Sequence, residues 1–544
     1  MLTVNGIRGC GSSLPRCALL CLVVPLSIFY GGAISSKAQS EQETAIVGGT
    51  LIDGNGGPPL QDAVVLIKGN RIVRVGSTGE VKYPKSIKTI DATDKYILPG
   101  LIDIHVHYND WMGELYLAHG VTTVKDVGNY VEWISTVSAE VEQGKARGPR
   151  IFYTGNGLDA PPPGRDHFIG LESPEMAKRA VDLLHQRGAS AIKVREKITL
   201  ELLRAVIEEA HKLNMPVTGH IMRVNAYEAA LAGIDGLEHA SGIVQATAPS
   251  MKVDLMGLTE YARYVEERKS YSLIDPAKIN ELIALLVSKN VALIPTMCGR
   301  WRMATDRRDA FAREDAEYAN NPLLAYVPNE ARNIWATSSL YQLDKAEDLA
   351  QVQLGYKKVQ NLLLQHYKLG GKVLAGSDTF LSIPGLSLQR ELLFLLDAGF
   401  TPMQAIIMAT RDNAQFLGKA KQLGTVAAGK LADLIVVSAN PLEDIRNTQR
   451  IAMVIKDGQV VDTTYHANYS IPTPRPKLTH PLLIEKQLQS GQKKISQNAN
   501  PDNRVNSDQK SGIAFASFKK DGISKARWIE LKAEPRQMPD QAGR

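Results

Sequence analysis

The sequence contains little cysteine. Three of its four cysteines lie within the first 38 residues, so Cys298 is the only one in the rest of the chain. A protein with one thiol forms no internal disulfide, and its stability must come from core packing and, where metal binds, from the metal. Because no cysteine-based motif surrounds Cys298, we expect a small buried side chain there and not a nucleophile.

The body of the chain also lacks an excess of basic residues. The 544-residue sequence has a net charge of +6, but the first 38 residues contribute +3 and residues 467–544 contribute +7. The part between them is therefore mildly acidic. Nucleic-acid-binding domains usually carry a basic patch, so we expect no nucleic acid among the partners of the folded part.

The start of the sequence has the pattern of a secretory leader. Residues 1–38 contain three basic residues, no acidic residue and an apolar stretch from Cys17 to Tyr30, and they end in small residues. The pattern predicts a signal peptide cleaved before Gln39, and hence a periplasmic or extracellular protein without a stable membrane anchor. A retained anchor is the alternative, although an apolar stretch of about 14 residues is short for a membrane span.

Two β-rich segments flank the centre of the chain. In residues 44–98, runs such as "AVVLIKGNRIVRVG" contain the Gly-Asn and Asp-Gly pairs of hairpin turns, and residues 425–465 repeat this pattern. Neither segment is large enough to form a stable sandwich by itself. We therefore expect one small β-sandwich domain built from both flanks.

The central residues 99–424 alternate short apolar runs with helical stretches, as parallel βα units do. Eight candidate strands predict an α/β fold, a (β/α)8 TIM barrel with insertions. The candidate strands are "YILPGLIDIHVH", "VTTVKDV", "RIFYTGNG", "SAIKVR", "MPVTGHI", "DGLEHA", "VALIPTM" and "KVLAGSD". A doubly wound open sheet is the alternative, but the Gly-rich nucleotide loop that it favours is absent from the sequence.

Two long segments depart from these patterns. The chain between Ser241 and Val291 exceeds a minimal βα unit, and we expect a helical lid or a contact within a homo-oligomer there. Residues 477–544 are polar, with Gln, Asn, Ser and Lys dominating 485–512. Their composition predicts a disordered tail.

Titratable residues cluster at the ends of the candidate strands. His105 and His107 are two positions apart, so both rings face the same way in a strand, as two core histidines or as a metal site. Four more such residues lie near the carboxyl ends, where barrel enzymes place their chemistry: Lys193, His220, His239 and Asp378. The set offers His105, His107 and Asp378 to one metal ion and His220 with His239 to a second.

Lys193 alternates with Ile192 and Val194, which predicts that its side chain points into the barrel. An unpaired ammonium group at such a position is costly. A salt bridge to a carboxylate such as Asp378 would remove the cost. Reaction with carbon dioxide would also remove it, because the resulting carbamate is an anion that can bridge two divalent cations.

The ordered motifs "GLIDIHVH", "AIKV", "VTGHI", "GLEHASG" and "LAGSDT" resemble those of the metal-dependent amidohydrolase superfamily, closest to its imidazolonepropionase-like and prolidase-like members. The resemblance runs from about Ala45 to Asp462. It implies a barrel with a small β-sandwich and two divalent ions, usually zinc. It also implies the ligand sets given above, with Lys193 carboxylated by CO2 and bridging the two ions.

The resemblance further implies a hydrolase of amide or peptide carbon–nitrogen bonds. A hydroxide between the two ions would attack the substrate carbonyl, and Asp378 would act as general base and then as general acid. The expected substrate is a dipeptide or an N-acyl amino acid. Arg195 and Arg223 are candidates to bind its carboxylate, unless each is solvated or pairs with an acid such as Glu196.

Some alternatives stay open. The substrate could be a cyclic amide or a lactone, and a secreted barrel that binds a metal or ligand without turnover would belong to a different functional class. A deaminase fits less well, since such relatives typically work with one metal and no bridging lysine. The loop "GNGLDAPPPGRDHF", with Asp159, Arg165 and His167, is either a wall of the substrate pocket or an ordinary surface loop.

Overall fold

The computed structural model describes residues 43–476, apart from 252, 338–342, 344 and 381. The predicted signal peptide at 1–38 and the predicted tail at 477–544 lie outside the described residues. Within the described part of the chain, no helix has both the length and the apolar character needed to cross a membrane.

The strands form one large sheet and two smaller parallel sheets. In chain order they are β1 (Glu43–Leu51), β2 (Leu60–Lys68), β3 (Arg71–Ser77), β4 (Lys88–Asp91), β5 (Tyr96–Pro99), β6 (Leu101–Val106), β7 (Val121–Asp126), β8 (Arg150–Tyr153), β9 (Gly157–Asp159), β10 (Phe168–Gly170), β11 (Ile192–Val194), β12 (Val217–Gly219), β13 (Gly236–Glu238), β14 (Ala292–Ile294), β15 (Leu434–Val437), β16 (Ile451–Lys456) and β17 (Gln459–Val461).

Helices occupy most of the chain between the parallel strands and follow the last of them. They are α1 (Gly113–Ala118), α2 (Val131–Glu142), α3 (Pro174–Gln186), α4 (Leu200–Lys212), α5 (Ala226–Ala232), α6 (Ile243–Thr247), α7 (Glu260–Ser270), α8 (Pro276–Ser288), α9 (Met297–Arg300), α10 (Arg308–Ala319), α11 (Asn329–Thr337), α12 (Asp348–Lys368), α13 (Leu386–Asp397), α14 (Pro402–Ile407) and α15 (Asn413–Phe416). Ser173 and Thr199 begin α3 and α4 by accepting a hydrogen bond from a backbone N–H of the first turn. Between the predicted lid boundaries at 241 and 291, the structure has the three helices α6, α7 and α8.

The two β-rich flanks share one sheet. Its order is β17-β16-β15-β5-β1-β2-β3, and β4 pairs with β1 outside this path. The flanks meet where β15 runs antiparallel to β5, with Ile435 opposite Leu98. An aliphatic core that includes Ile46, Val65 and Ile97 fills this region. A two-layered sandwich stays a prediction, because these strands are hydrogen-bonded into a single eight-stranded sheet.

Seven of the eight predicted barrel strands are present as β6, β7, β8, β11, β12, β13 and β14, and every pair among them that is hydrogen-bonded is parallel. A backbone hydrogen bond of 2.9 Å from Ser190 N to Tyr153 O connects the two parallel sheets.

The eighth predicted strand is not a regular strand. It joins its neighbours through the isolated bridges Leu293–Val373 and Val106–Thr379. At the end of this segment, Asp378 has a φ of 52°, in the left-handed region, which interrupts extended structure there. This segment nevertheless stays aligned with β6, because Asp378 N donates a 2.9 Å hydrogen bond to His105 O.

Candidate metal centre

The residues predicted for the first metal ion lie together. His105 and His107 end β6, and their Nε2 atoms lie 3.4 Å and 3.5 Å from Oδ1 of Asp378. One potential ligand atom from each of the three residues falls within 4.8 Å of the others. Groups this close can coordinate one ion.

The histidines predicted for the second ion border the same space. The rings of His220 and His239 have centroids 4.6 Å apart, and those of His105 and His239 are 4.8 Å apart. His239 Nδ1 also lies 3.8 Å from Oδ2 of Asp378. His239 therefore lies between Asp378 and His220 and connects the two predicted ligand groups.

Part of this site has a strained backbone. His239, Thr296 and Asp378 have φ values of 61°, 47° and 52°, in the left-handed region that non-glycine residues rarely adopt. Such conformations cost free energy and cluster at functional sites. His239 and Asp378, two of these residues, border the shared space. A 2.6 Å hydrogen bond between Thr296 Oγ1 and Nδ1 of His239 holds the His239 ring in place.

Lys193 is fully buried, and its Nζ contacts Oε2 of Glu238. The carboxylate that Lys193 contacts is thus Glu238 and not Asp378, the example given for the salt-bridge alternative. Glu238 is the inward residue at the end of β13, directly before His239, and its Oε1 accepts a 2.7 Å hydrogen bond from Thr218. It also forms a second close group of potential ligands with His105 and His239. Its position in "GLEHASG" was the sequence signal for it.

Burial keeps the site histidines neutral, because it lowers the pKa of His105, His220 and His239 well below the ordinary value. Neutral imidazole is the form that binds metal. Both ring nitrogens of His105, and Nε2 of His220, are buried without a hydrogen-bond partner among the described residues. Burial alone raises the pKa of Asp378, but its interactions with His239, His105 and His107 outweigh burial and lower that pKa. This donor set fits divalent cations.

The electrostatics of Lys193 favour a neutral amine. Burial, followed by the positive charge of nearby Arg195, lowers the pKa of Lys193 well below its ordinary value. A neutral amine is the form that reacts with carbon dioxide. Asp378 acts in the opposite direction and limits the effect.

Two buried acids support the loops that carry the candidate ligands. Asp103 accepts hydrogen bonds from the backbone N–H groups of His105 (3.2 Å) and Ser377 (3.0 Å), next to Asp378. Glu391 accepts from Met297 N (2.9 Å) and Cys298 N (2.7 Å), directly after Thr296. Burial raises the pKa of each of these two carboxyl groups to about 7. No sequence motif pointed to Glu391, which lies on the distant helix α13.

The two candidate anchor arginines have different environments. Arg195 lies against the site: its Nη1 is 3.2 Å from Nδ1 of His220, its Nη2 is 3.2 Å from Oε1 of Glu196, and its guanidinium covers the ring of Phe168. Arg223 is exposed, and its backbone N–H donates to Glu196 O. The structure therefore brings Arg195 to the candidate ligands and leaves the side chain of Arg223 at the surface.

The loop after β8 borders Arg195. Asp159 is buried and accepts a 2.8 Å hydrogen bond from Lys197 N, and burial raises its pKa to about 6. His167 is also buried, and the guanidinium of Arg165 lies 5.4 Å from the ring of Phe380, two residues after Asp378. Two of the three loop residues singled out in the sequence are thus buried, and the third reaches the rim of the site.

Helix α7 covers another side. Arg263 contacts Glu196, and the hydroxyl of Tyr264 lies 3.4 Å from the carbonyl oxygens of Gly299 and Arg300. Arg300 in turn pairs with Glu267 of α7 at 2.6 Å. These contacts attach the predicted lid segment to the strand ends.

Comparison with known proteins gives the same picture. The sequence profile described as "Amidohydrolase family" matches residues 96–461. Ochratoxinase of Aspergillus niger is 24% identical over 492 residues, which cover 78% of this chain and 87% of ochratoxinase. The crystal structure of A. niger ochratoxinase has a TM-score of 0.56 at 22% identity, covering 80% of this chain and 99% of that one.

Two further solved structures are similar. A Xaa-Pro dipeptidase with methionine bound in its active site has a TM-score of 0.54 at 22% identity, covering 77% of this chain and all (100%) of that one. Bottromycin amidohydrolase has a TM-score of 0.60 at 20% identity, covering 77% and 87%. At these identities the likeness concerns the fold, which is a TIM barrel with an added β-sheet domain. The profile match spans more than half of the sequence, so the chain belongs to the amidohydrolase family of the metal-dependent amidohydrolase superfamily, and it is a hydrolase of amide or peptide carbon–nitrogen bonds.

Proposed function

We propose that this protein is a binuclear-metal amidohydrolase that cleaves an amide or peptide bond in a dipeptide or an N-acyl amino acid. The observation that carries the proposal is the convergence of His105, His107 and His239 on Asp378, at distances of 3.4 to 3.8 Å between ring nitrogens and carboxylate oxygens. They come from three separate parts of the barrel, the ends of β6 and β13 and the eighth segment, and they meet in one largely buried space.

The donor set supports two cations. His105, His107 and Asp378 would hold one ion, His220 and His239 the second, and a carboxylated Lys193 would bridge them. Zinc suits a site of imidazole and carboxylate ligands. When bound, such ions would lower the pKa of a coordinated water and polarise the substrate carbonyl. The proposed architecture around them is a closed eight-stranded barrel with a flanking β-sandwich.

Asp378 would carry the proton. Its carboxylate lies within 3.8 Å of His105, His107 and His239, and its side chain is 20% exposed, so it can reach a water that enters from the rim. Asp378 would accept a proton as that water attacks the carbonyl carbon, and would then return it to the amine as the carbon–nitrogen bond breaks. The products are a carboxylate and an amine.

Arg195 would bind the carboxylate of the substrate. It lies at the edge of the candidate metal centre, where a guanidinium can hold a carboxylate through two parallel hydrogen bonds. Its present contact with Glu196 at 3.2 Å is long for a charge-assisted bond and leaves it free to exchange partners. Arg223 would contribute from the surface, as a weaker anchor.

The similar proteins support the bond type. One of them is a Xaa-Pro dipeptidase and another an amidohydrolase, both with TM-scores above 0.5. The α7 segment would act as a lid or as a contact between copies in a homo-oligomer. We further propose that the chain is exported, on the basis of the composition of residues 1–38 alone.

The metal requirement is tested by hydrolysis of a panel of dipeptides and N-acyl amino acids. We expect activity to be lost in excess chelator and to return when zinc is added in a bicarbonate buffer. Hydrolysis that continues unchanged in chelator would refute the metal mechanism. Zinc binding without hydrolysis of any amide in a broad panel would favour a non-catalytic binding protein.

The anchor assignment is tested by Arg195→Met and Arg223→Met, each assayed with a dipeptide and with the same dipeptide carrying a C-terminal amide. We expect Arg195→Met to raise KM for the free carboxylate by about 10- to 100-fold and to change the amide little, since a charged hydrogen bond contributes roughly 1.5–3 kcal/mol. Arg223→Met should have a smaller effect. Equal losses on both substrates in Arg195→Met would point to a structural role.

A further inference from the structure

A second lysine, Lys125, is fully buried close to Lys193. Its Nζ has no hydrogen-bond partner among the described residues and lies 5.4 Å from the centroid of the Phe416 ring. Burial lowers its pKa to about 7. A polar group buried without a partner is rare in native proteins and calls for an explanation.

Lys125 lies on the same side of the parallel strands as Lys193. On β7, Val124 belongs to the main hydrophobic core, which the helices cover. Lys125 lies on the other face of β7, in register with Phe152 of β8. Phe152 packs against a separate hydrophobic cluster between the strands. Ile192 and Val194 flank Lys193 in the same helix-facing core. The charge of Lys125 also reaches Lys193, whose pKa is lowered by burial, by Arg195 and by Lys125.

Three charged residues occupy one layer of the predicted barrel. β7, β11 and β13 are its second, fourth and sixth strands, and inward side chains of alternate strands share a layer in this architecture. Lys125, Lys193 and Glu238 are the inward residues concerned. The eighth strand contributes Gly376, where a Cβ would lie 2.8 Å from Cβ of His105, so this position adds no side chain.

With Lys193 as a neutral amine, the unmodified layer holds one anion, Glu238, and one cation, Lys125. Glu238 uses one oxygen for Thr218 and the other for Lys193. Carboxylation would change this. The neutral amine of Lys193 attacks carbon dioxide, a carbon–nitrogen bond forms, an electron pair of one C=O bond moves to oxygen, and a proton leaves to water. The layer then holds two anions and one cation, Lys125.

We propose that Lys125 is a positioning residue whose ammonium group stabilises the pair of anions formed by carboxylated Lys193 and Glu238. The inference rests on the proposed function, because it requires the carbamate. It explains why a buried cation without a partner is placed next to the candidate metal centre. Buried charges are screened little by salt, so one cation in this layer has a strong effect.

The test uses Lys125→Met, which keeps the length of the side chain and removes the charge. The full-length protein is stripped of metal, freed of carbon dioxide, and titrated with ¹³C-labelled bicarbonate in the presence of zinc. Zinc bound per chain and the ¹³C carbamate resonance are both recorded. Lys419→Met is the matched control, because Lys419 also lies over an aromatic ring of this cluster, that of Phe152, at 5.5 Å, but is only partly buried.

We expect Lys125→Met to need at least about tenfold more bicarbonate for half-maximal zinc uptake, as supporting residues of metal sites typically do, while Lys419→Met matches the wild type. The thermal midpoint of the stripped Lys125→Met protein should not fall, since an unpaired buried charge has been removed. Lys125→Gln provides the same comparison should the Met variant fold poorly, and Lys125→Arg should recover wild-type behaviour.

Unchanged bicarbonate dependence in both neutral variants would overturn the role of Lys125 and leave the proposed function intact. If the wild-type protein took up zinc without bicarbonate and gave no carbamate resonance, the role of Lys125 and the proposed function would both be refuted. The two failures are distinguished by the wild-type titration alone.

Discussion

The eight-stranded sheet and the carboxyl ends of the parallel strands are both buried, yet they are built from opposite kinds of residue. The core of the sheet is aliphatic, as Ile46, Val65 and Ile97 illustrate. The strand ends bury His105, Lys193 and Glu238 with no exposed surface, and they include residues in left-handed backbone conformations. Burial of aliphatic side chains stabilises the first region, whereas buried polar groups and left-handed backbone conformations cost free energy in the second. This difference is expected when one part of a fold is shaped for function.

The largest expected effect separates the two regions. Asp378→Asn removes the proton carrier and a proposed ligand, and we expect hydrolysis to fall by roughly a thousandfold or more with little change in the thermal midpoint. The control is Asp397→Asn, at the exposed end of α13, where Asp397 pairs with Arg307. Retained hydrolysis in Asp378→Asn would mean that the strand ends do not carry the chemistry.

A substitution in the core of the eight-stranded sheet should have the opposite effect, a loss of stability without a loss of activity. Ile97 is fully buried, and Ile97→Ala should lower the free energy of unfolding by about 2–5 kcal/mol, since it leaves a cavity in the aliphatic core. Urea unfolding measures this loss, and kcat well below the unfolding transition should stay at the wild-type value. Val73→Ala, at a position that is 47% exposed, should have almost no effect. A variant of Ile97 that is folded but inactive would break the division between the regions.

A smaller effect is expected from Thr296→Val, which keeps the shape of the side chain and removes the hydroxyl that holds His239. Loss of a supporting group typically weakens metal binding by about 10- to 100-fold. Competition with a chelator of known affinity measures the change. Thr136→Val, on the exposed face of α2, is the matched control. Equal metal affinity in both variants would show that the 2.6 Å contact with His239 has no such role.

The smallest effect concerns pH. The pKa of Glu391 is raised to about 7 from 4.5, so the folded protein keeps this proton where the unfolded chain has lost it. Its contribution to stability is complete below pH 4.5 and is lost as pH rises through 7, by about 3 kcal/mol. Glu391→Gln should remove this decline, so its advantage over the wild type in chemical unfolding grows from pH 5 to pH 8. If the stability of Glu391→Gln and that of the wild type changed with pH in parallel, the assignment would be contradicted. Glu281→Gln, at an exposed position, is the control.

Much of the architecture follows from periodicity. The alternation of apolar runs with capped helices predicted the parallel strands β6 to β8 and β11 to β14 and the helices between them, because those patterns depend on neighbouring residues. The eighth strand was less regular than predicted, since the strain at Asp378 depends on contacts with β6 that no local pattern encodes.

The site was predictable to the extent that its residues end strands. His105, His107, His239 and Asp378 follow apolar runs, and the strand order brings them together. Glu238 was overlooked, although its place in "GLEHASG", directly before His239, puts an acid at the end of a predicted strand. Glu391 and Lys125 could not have been found, since their roles depend on partners from distant parts of the chain.

Elemental analysis of protein purified without added metal tests the central claim most directly, with the wild type and Lys193→Ala compared. The account predicts about two divalent ions per wild-type chain, and a collapse of both metal content and hydrolysis in the variant. Lys178→Ala, at a surface ion pair with Glu208, should match the wild type. Full metal content and full activity in Lys193→Ala would contradict the account.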